Sequence, residues 1–281
     1  MKKGISVWSF SGGSLYDIFK LAKRAGFEGV EVALDESGEL SLNSTEEEIL
    51  KVRKMADQTG ISLYSVASGL YWKYSLTSND QKIREKAKSI VKKQIETAEL
   101  LGCDTILVVP GAVGADFIPG CELVEYDTAY DRALTAMREL SSYAEQCKVT
   151  IGVENVWNKF LLSPLEMRDF IDKIGSDFVG AYFDVGNVLF SGYPEHWIKI
   201  LGNRIKKVHF KDYKRAIGTV DGFVDLLSGD VDYPAVMRAL ENAGYDGWVT
   251  GELNTYKSYP QALLYNASFA MNQILGRNQN D

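Results

Sequence analysis

Cysteine and histidine are scarce in this chain, with three and two among 281 residues. Cys103, Cys121 and Cys147 are odd in number and form no CxxC, which excludes a disulfide framework and a zinc ribbon. Basic charge is also in deficit. Thirty-one Lys and Arg face 38 Asp and Glu, a formal net charge of -7. Nucleic-acid phosphates need a surplus of Lys and Arg, so no nucleic-acid partner is expected, although one local cation could still bind a phosphate. Long hydrophobic runs are missing too: no 18 consecutive apolar residues suggest a membrane span, and MKKGISVWSFSGG has too short an apolar run for a signal peptide. The expectation is a cytoplasmic protein with no membrane partner.

What is present is a globular balance, 46% hydrophobic and 25% charged. Apolar, β-branched runs at 4–9, 28–34, 61–67, 104–109, 149–154, 178–184, 205–210 and 246–252 read as strands. Several are apolar at nearly every position, as strands buried on both faces of a parallel sheet are. Helical stretches at 14–25, 45–59, 80–101, 126–147, 163–174, 194–202, 232–243 and 258–275 alternate with them. Gly26, Gly60, Gly102 and Gly244 each follow a helical stretch, where a left-handed residue ends a helix. Eight unbroken β-then-α units of about 35 residues predict an α/β fold, one (β/α)8 TIM barrel over 1–281. The first turn, SFSGGS, lacks the GxGxxG spacing of a doubly wound nucleotide-binding sheet. Long irregular segments follow strands (68–79, 111–125, 155–162 and 211–231), and these form the barrel mouth, where active sites are built.

Four metal-capable residues end four consecutive strands: Glu154 in IGVEN, Asp184 in YFDVGN, His209 in VHFKDY and Glu252 in VTGEL. Their spacings of 30, 25 and 43 residues place them around one side of the mouth. A carboxylate ending an apolar run is costly unless paired or ligated. One such acid would read as a structural ion pair, but four in a row predict a divalent metal site. Three carboxylates and one imidazole suit Mn²⁺ best, with Mg²⁺, Co²⁺ and Zn²⁺ compatible. A metal chelated by an α-hydroxyketone would acidify the carbon between the oxygens and stabilise an enediolate.

These four segments, in this order and spacing, resemble the sugar-phosphate isomerase/epimerase family of xylose-isomerase-like barrels, and FDVGN resembles the L-xylulose/L-ribulose-5-phosphate 3-epimerase branch. The resemblance spans essentially the whole chain. It implies that Glu154, Asp184, His209 and Glu252 bind the metal, and that Glu154 and Glu252 are the acid/base pair exchanging the C3 proton of a ketopentose 5-phosphate. Inversion needs proton removal from one face and delivery to the other, so two groups are better placed than one. The resemblance also implies a homodimer or homotetramer. Many free-ketose 3-epimerases of the superfamily carry a histidine three residues after the metal-binding aspartate, where this chain has Asn187. An amide bonds a hydroxyl but carries no proton at neutral pH, which favours the phosphate-sugar branch.

Substrate contacts are expected from Asn187, Lys211, Trp8, Trp157, Lys159 and Arg215. Trp8 and Trp157 could wall a sugar's apolar face, though core packing is the usual fate of tryptophan. Lys159, Lys211, Lys214 and Arg215 are the phosphate candidates, against a reading of Lys214 and Arg215 as solvated loop charges. Lys211 could equally pair with Asp212 or Asp184. Asn155 could orient ligands or shape a turn. His196 reads as a cap or surface residue, and Ser11–Gly12–Gly13 as a turn before an anion nest. An aldose–ketose or hydroxypyruvate-type isomerase, a free-ketose 3-epimerase or an inosose-type dehydratase would need the same four motifs. A non-catalytic sugar-binding barrel, or a subunit of a glycoside-processing complex, is the competing class. An abasic-site endonuclease on this fold would want more histidines and a basic face.

Overall fold

The computed structural model describes residues 1–277. Its elements run β1 (Lys2–Ser6), α1 (Leu15–Arg24), β2 (Gly29–Ala33), α2 (Glu46–Thr59), β3 (Ser62–Ala67), α3 (Gln81–Leu101), β4 (Thr105–Val108), α4 (Tyr126–Cys147) and β5 (Thr150–Glu154). They continue through α5 (Pro164–Ile174), β6 (Val179–Asp184), α6 (Pro194–Leu201), β7 (Ile205–Phe210), a short pair β8 (Asp212–Tyr213) and β9 (Phe223–Val224), α7 (Tyr233–Asn242), β10 (Trp248–Gly251) and α8 (Pro260–Ile274). The eight long strands close in the order β1-β10-β7-β6-β5-β4-β3-β2, every pair parallel, so the expected (β/α)8 barrel is what forms.

Local chemistry sets the helix ends. Thr45 opens α2 with a reciprocal capping box to Glu48, and Ser163 accepts from Glu166 N ahead of Pro164 at the first turn of α5. The four predicted stop glycines all lie at left-handed φ, from +69° to +88°. Inside the barrel, Gly4 and Gly152 give up side chains so that Tyr64 and Tyr182 can fit: a Cβ would lie 2.0 Å from the Tyr64 hydroxyl and 2.8 Å from the Tyr182 ring.

Strand one departs from expectation. It starts at Lys2 and ends at Ser6, because the Ser6 hydroxyl accepts from the Trp8 amide and turns Val7–Ser9 into a 3₁₀ turn. Trp8 therefore sits on that turn, 39% exposed, rather than on a strand. The seventh loop also holds an unforeseen antiparallel ribbon, β8 with β9. Buried Asp212 anchors it by accepting from the amides of Tyr213, Gly229 and Val231.

Candidate metal and active site

Parallel pairing brings the strand-end residues into one ring. Asp184, the last residue of β6, is in register with His209 of β7, and Thr250 of β10 lies on the other side of His209. Glu154 ends β5, and Glu252 follows β10 with its amide bonded to the Phe210 carbonyl. One ligand atom from each of Glu154, Asp184, His209 and Glu252 lies within 4.8 Å of all the others. His209 Nδ1 is 2.7 Å from Glu252 Oε2, 3.7 Å from Asp184 Oδ2 and 4.0 Å from Glu154 Oε1. Yet Asp184 Oδ2, His209 Nδ1 and Glu252 Oε2 are buried without a partner in hydrogen-bond geometry. Buried polar atoms are normally satisfied, so three orphans around one point fit a shared cation. The donor set, three carboxylates and an imidazole, fits a divalent metal.

The supporting contacts fix these groups in place. Asn155 clasps Asp184 at both ends of its backbone, accepting from its amide and donating to its carbonyl at 2.8 Å each. The Asn187 amide N–H donates to Asp184 Oδ1 at 2.8 Å, which leaves Oδ2 turned to the cluster, and its side-chain nitrogen donates to the Asn155 carbonyl at 3.0 Å. Trp157 Nε1 donates to the Asn187 carbonyl at 2.8 Å. On the far side of His209, Nε2 lies 3.0 Å from Glu31 Oε1, and the Tyr182 hydroxyl donates to Glu31 Oε2. Metal-ligating histidines commonly give their second N–H to a carboxylate, which fixes the tautomer. Glu31, fully buried on β2, holds His209 with Nδ1 aimed at the cluster, and sequence reasoning missed it.

The charges are strongly coupled. Burial raises the Glu154 carboxyl to about 8, helped by Glu252 and opposed by the Lys211 ammonium. Burial would raise Glu252 as well, but Lys211 and His209 beside it overcome that and hold it well below the usual range. For His209, burial favours the neutral ring while Glu31 and Glu252 outweigh it and raise the imidazole. Lys211 Nζ lies 3.0 Å from both Asp184 Oδ2 and Glu252 Oε2. It reaches them because Gly186 has no side chain: a Cβ there would be 2.5 Å from Lys211 Cβ.

The other predicted residues divide into two groups. Trp8, Trp157, Asn187 and Lys211 line a cavity of about 500 Å³ over the cluster, together with Glu154 and Glu252. Lys159 pairs with Asp116 at 2.7 Å on an exposed rim. Arg215 lies over the Tyr193 ring at 4.7 Å and donates to the Gly192 carbonyl, tying the seventh loop to the sixth. Lys214 and His196 are exposed, and Ser11 and Gly12 line a separate surface cavity with Asp17 and Arg24. None of these last four, nor Arg215, lines the cavity over the cluster.

Comparison with known proteins agrees with the barrel fold. A profile described as xylose isomerase-like TIM barrel matches residues 19–272. A candidate L-ribulose-5-phosphate 3-epimerase, SgbU of Haemophilus influenzae, is 27% identical over 252 residues, 85% of this chain and 83% of that protein. The L-ribulose-5-phosphate 3-epimerase UlaE of Escherichia coli (strain K12 / DH10B) is 24% identical over 239 residues, 81% of this chain and 78% of its own length. A solved L-ribulose 3-epimerase superposes with a TM-score of 0.81 at 18% identity, covering 98% of this chain and 94% of the other.

Proposed function

We propose that this chain, which belongs to the xylose isomerase-like TIM barrel family, is a divalent-metal-dependent epimerase that inverts C3 of a ketose by proton exchange between Glu154 and Glu252. The observation that carries this reading is the convergence of one ligand atom from each of Glu154, Asp184, His209 and Glu252 within 4.8 Å of one another at the barrel mouth, with the two glutamates both lining the cavity above. A divalent ion held by Glu154, Asp184, His209 and Glu252, Mn²⁺ by preference, would supply the charge that polarises a sugar carbonyl and acidifies the adjacent C–H. The residues of the chain do the rest. Without the ion, burial pushes Glu154 up to about 8, while Lys211 and His209 hold Glu252 low, so the two carboxyls sit in environments of opposite tendency. Two carboxyls whose environments drive them apart are suited to act as acid and base. Asn187 and Lys211 reach the cavity as hydroxyl or carbonyl donors, and Trp8 and Trp157 wall it against water.

The names of the relatives support a ketopentose 5-phosphate as substrate; Lys159 and Arg215 are the phosphate contacts this reading needs, although neither lines the cavity over the cluster. A second reading, an unphosphorylated ketose, is favoured by the pairing of the cations: Lys159 on Asp116, Lys211 on Asp184 and Glu252, and Arg215 turned onto Tyr193. The reading also makes residues 1–281 one domain of a cytoplasmic homodimer or homotetramer, with a small carbohydrate as its partner. Among the described residues no helix is long and apolar enough to cross a membrane.

The test is solvent deuterium exchange followed by NMR, with metal-stripped protein resupplied with Mn²⁺. Metal-dependent deuterium at C3 of L-ribulose or L-ribulose 5-phosphate, with appearance of the epimer, is the expected result. Bound metal without exchange on either sugar would refute the reading.

A further inference from the structure

Beside the cavity over the cluster lies a second one of about 450 Å³, set among the loops that follow β4, β5, β6 and β7. The two share Phe117, Val156, Trp157, Asn187 and Val220 in their walls, so they adjoin. The second cavity is apolar. Its only charged lining residues among those described are Asp116 and Lys159, and these pair with each other at the rim. Trp157 presents its ring against Phe190, with centroids 5.3 Å apart, while its one polar atom is already used by the Asn187 carbonyl.

This wall is built rather than accidental. Lys159 and Leu161 are held at φ +55° and +53°, a conformation that non-glycine residues avoid. Buried Asn158 holds the segment, donating to the Gly111 carbonyl at 2.7 Å and accepting from the Phe160 amide at 3.1 Å. An anion placed here would lose its hydration and find the one lining cation among the described residues, Lys159, already paired with Asp116. An aromatic ring would lose water and gain ring edges at close range.

We propose that this second cavity binds an aromatic substituent carried at the end of the substrate remote from its carbonyl, so that the chain acts on an aryl- or benzyl-substituted ketose rather than a phosphorylated one. The inference rests on the reading of the cluster as a ketose site, and it selects among the substrates of that site.

The test is calorimetric binding to the Mn²⁺-loaded protein of three sugars that differ at one oxygen: L-ribulose, L-ribulose 5-phosphate and 5-O-benzyl-L-ribulose. The benzyl ether is expected to bind about tenfold or more tighter than L-ribulose, as burial of one ring allows, and the phosphate no tighter than L-ribulose. Ser191→Trp, which fills the cavity from its rim, should erase the benzyl preference; Phe190→Ala, which removes a wall, should weaken it if the first variant does not fold. Equal binding of benzyl ether and parent, preference for the phosphate, no binding of any of the three, or a benzyl preference that survives in folded Ser191→Trp would overturn the inference. So would light scattering that shows a wild-type dimer falling apart in Ser191→Trp with no benzyl preference, because a second subunit would then be the occupant. Binding is read without turnover. A benzyl preference without C3 exchange would therefore sink only the epimerase reading, and C3 exchange without the preference would sink only this one.

Discussion

The two ends of the barrel both bury polar groups and treat them in opposite ways. At the N-terminal end of the strands, Lys3 is 2% exposed, and its ammonium donates to Ser268 Oγ at 2.9 Å and Asn272 Oδ1 at 2.6 Å. Nearby, the Lys3 amide and Arg277 both donate to Glu28, and Lys207 pairs with Asp104 at 2.6 Å. At the C-terminal end, Asp184, His209 and Glu252 each keep one buried atom without a hydrogen-bond partner. An unmet buried group costs on the order of 1–3 kcal/mol, more when charged. The floor supplies its own partners and acts as structure. The mouth gives Asp184 Oδ2 and Glu252 Oε2 only the one Lys211 ammonium, 3.0 Å from each, and leaves His209 Nδ1 facing carboxylates without hydrogen-bond geometry, an arrangement that a bound cation would complete.

The largest way to break this contrast is to neutralise the mouth. Glu154→Gln and Glu252→Gln should each lower turnover by about 10²–10⁴-fold, the usual contribution of a positioned acid or base. The thermal midpoint of the metal-free protein should change little in Glu154→Gln, whose buried carboxyl tends to the neutral form, and fall in Glu252→Gln, which leaves Lys211 and His209 without the carboxylate beside them. Near-wild-type turnover in either variant would remove that residue from the acid/base pair.

Why the mouth was readable from sequence and its support was not follows from spacing. A carboxylate or imidazole closing an apolar run, repeated once per βα unit, marks Glu154, Asp184, His209 and Glu252 with no knowledge of pairing. Glu31 lies within EGVEVAL, flanked by Val30 and Val32, and carries no such repeat. The signal that could have found it is its cost: a charge inside an apolar strand must be paired or ligated. The partners it found, His209 and Tyr182, are 178 and 151 residues away, and only the barrel order brings them together. Ribbon β8–β9 has two residues per strand, too few for any period to show. The pairing of Lys159 with Asp116 depends on two loops meeting at the rim, which composition does not encode.

Glu31 belongs to neither end alone, and it sharpens the comparison at an intermediate scale. It is a saturated group, like those of the floor, whose saturation serves the mouth. Glu31→Gln should weaken Mn²⁺ binding by about 10–100-fold, as loss of a carboxylate behind a ligating histidine does. Competition with a chelating indicator dye reads this directly. A purely structural Glu31 would instead lower the midpoint of the metal-free protein and leave the affinity of the folded fraction unchanged. Glu31→Asp should recover part of the affinity if the carboxylate itself is what orients His209.

The smallest effect lies at the floor. Burial, with Arg277 nearby, lowers the Lys3 ammonium to about 8 from 10.5, against an opposing pull from Glu28. Between those two values the unfolded chain binds more protons at this site than the folded one, so folding stability rises with pH across that window. Below pH 8 both states are protonated and the penalty for burying the charge is fully present; above 10.5 both are neutral and it is gone. Lys3→Met removes the titration and leaves the other groups in place. The stability of wild type relative to Lys3→Met should therefore be flat up to pH 8 and then climb towards 10.5, in paired urea titrations at fixed ionic strength. Turnover per folded molecule should stay unchanged, because Lys3 lies at the opposite end of the barrel from the cluster. A stability difference independent of pH would mean that Lys3 keeps its proton throughout. A loss of turnover would mean that the two ends of the barrel are not independent.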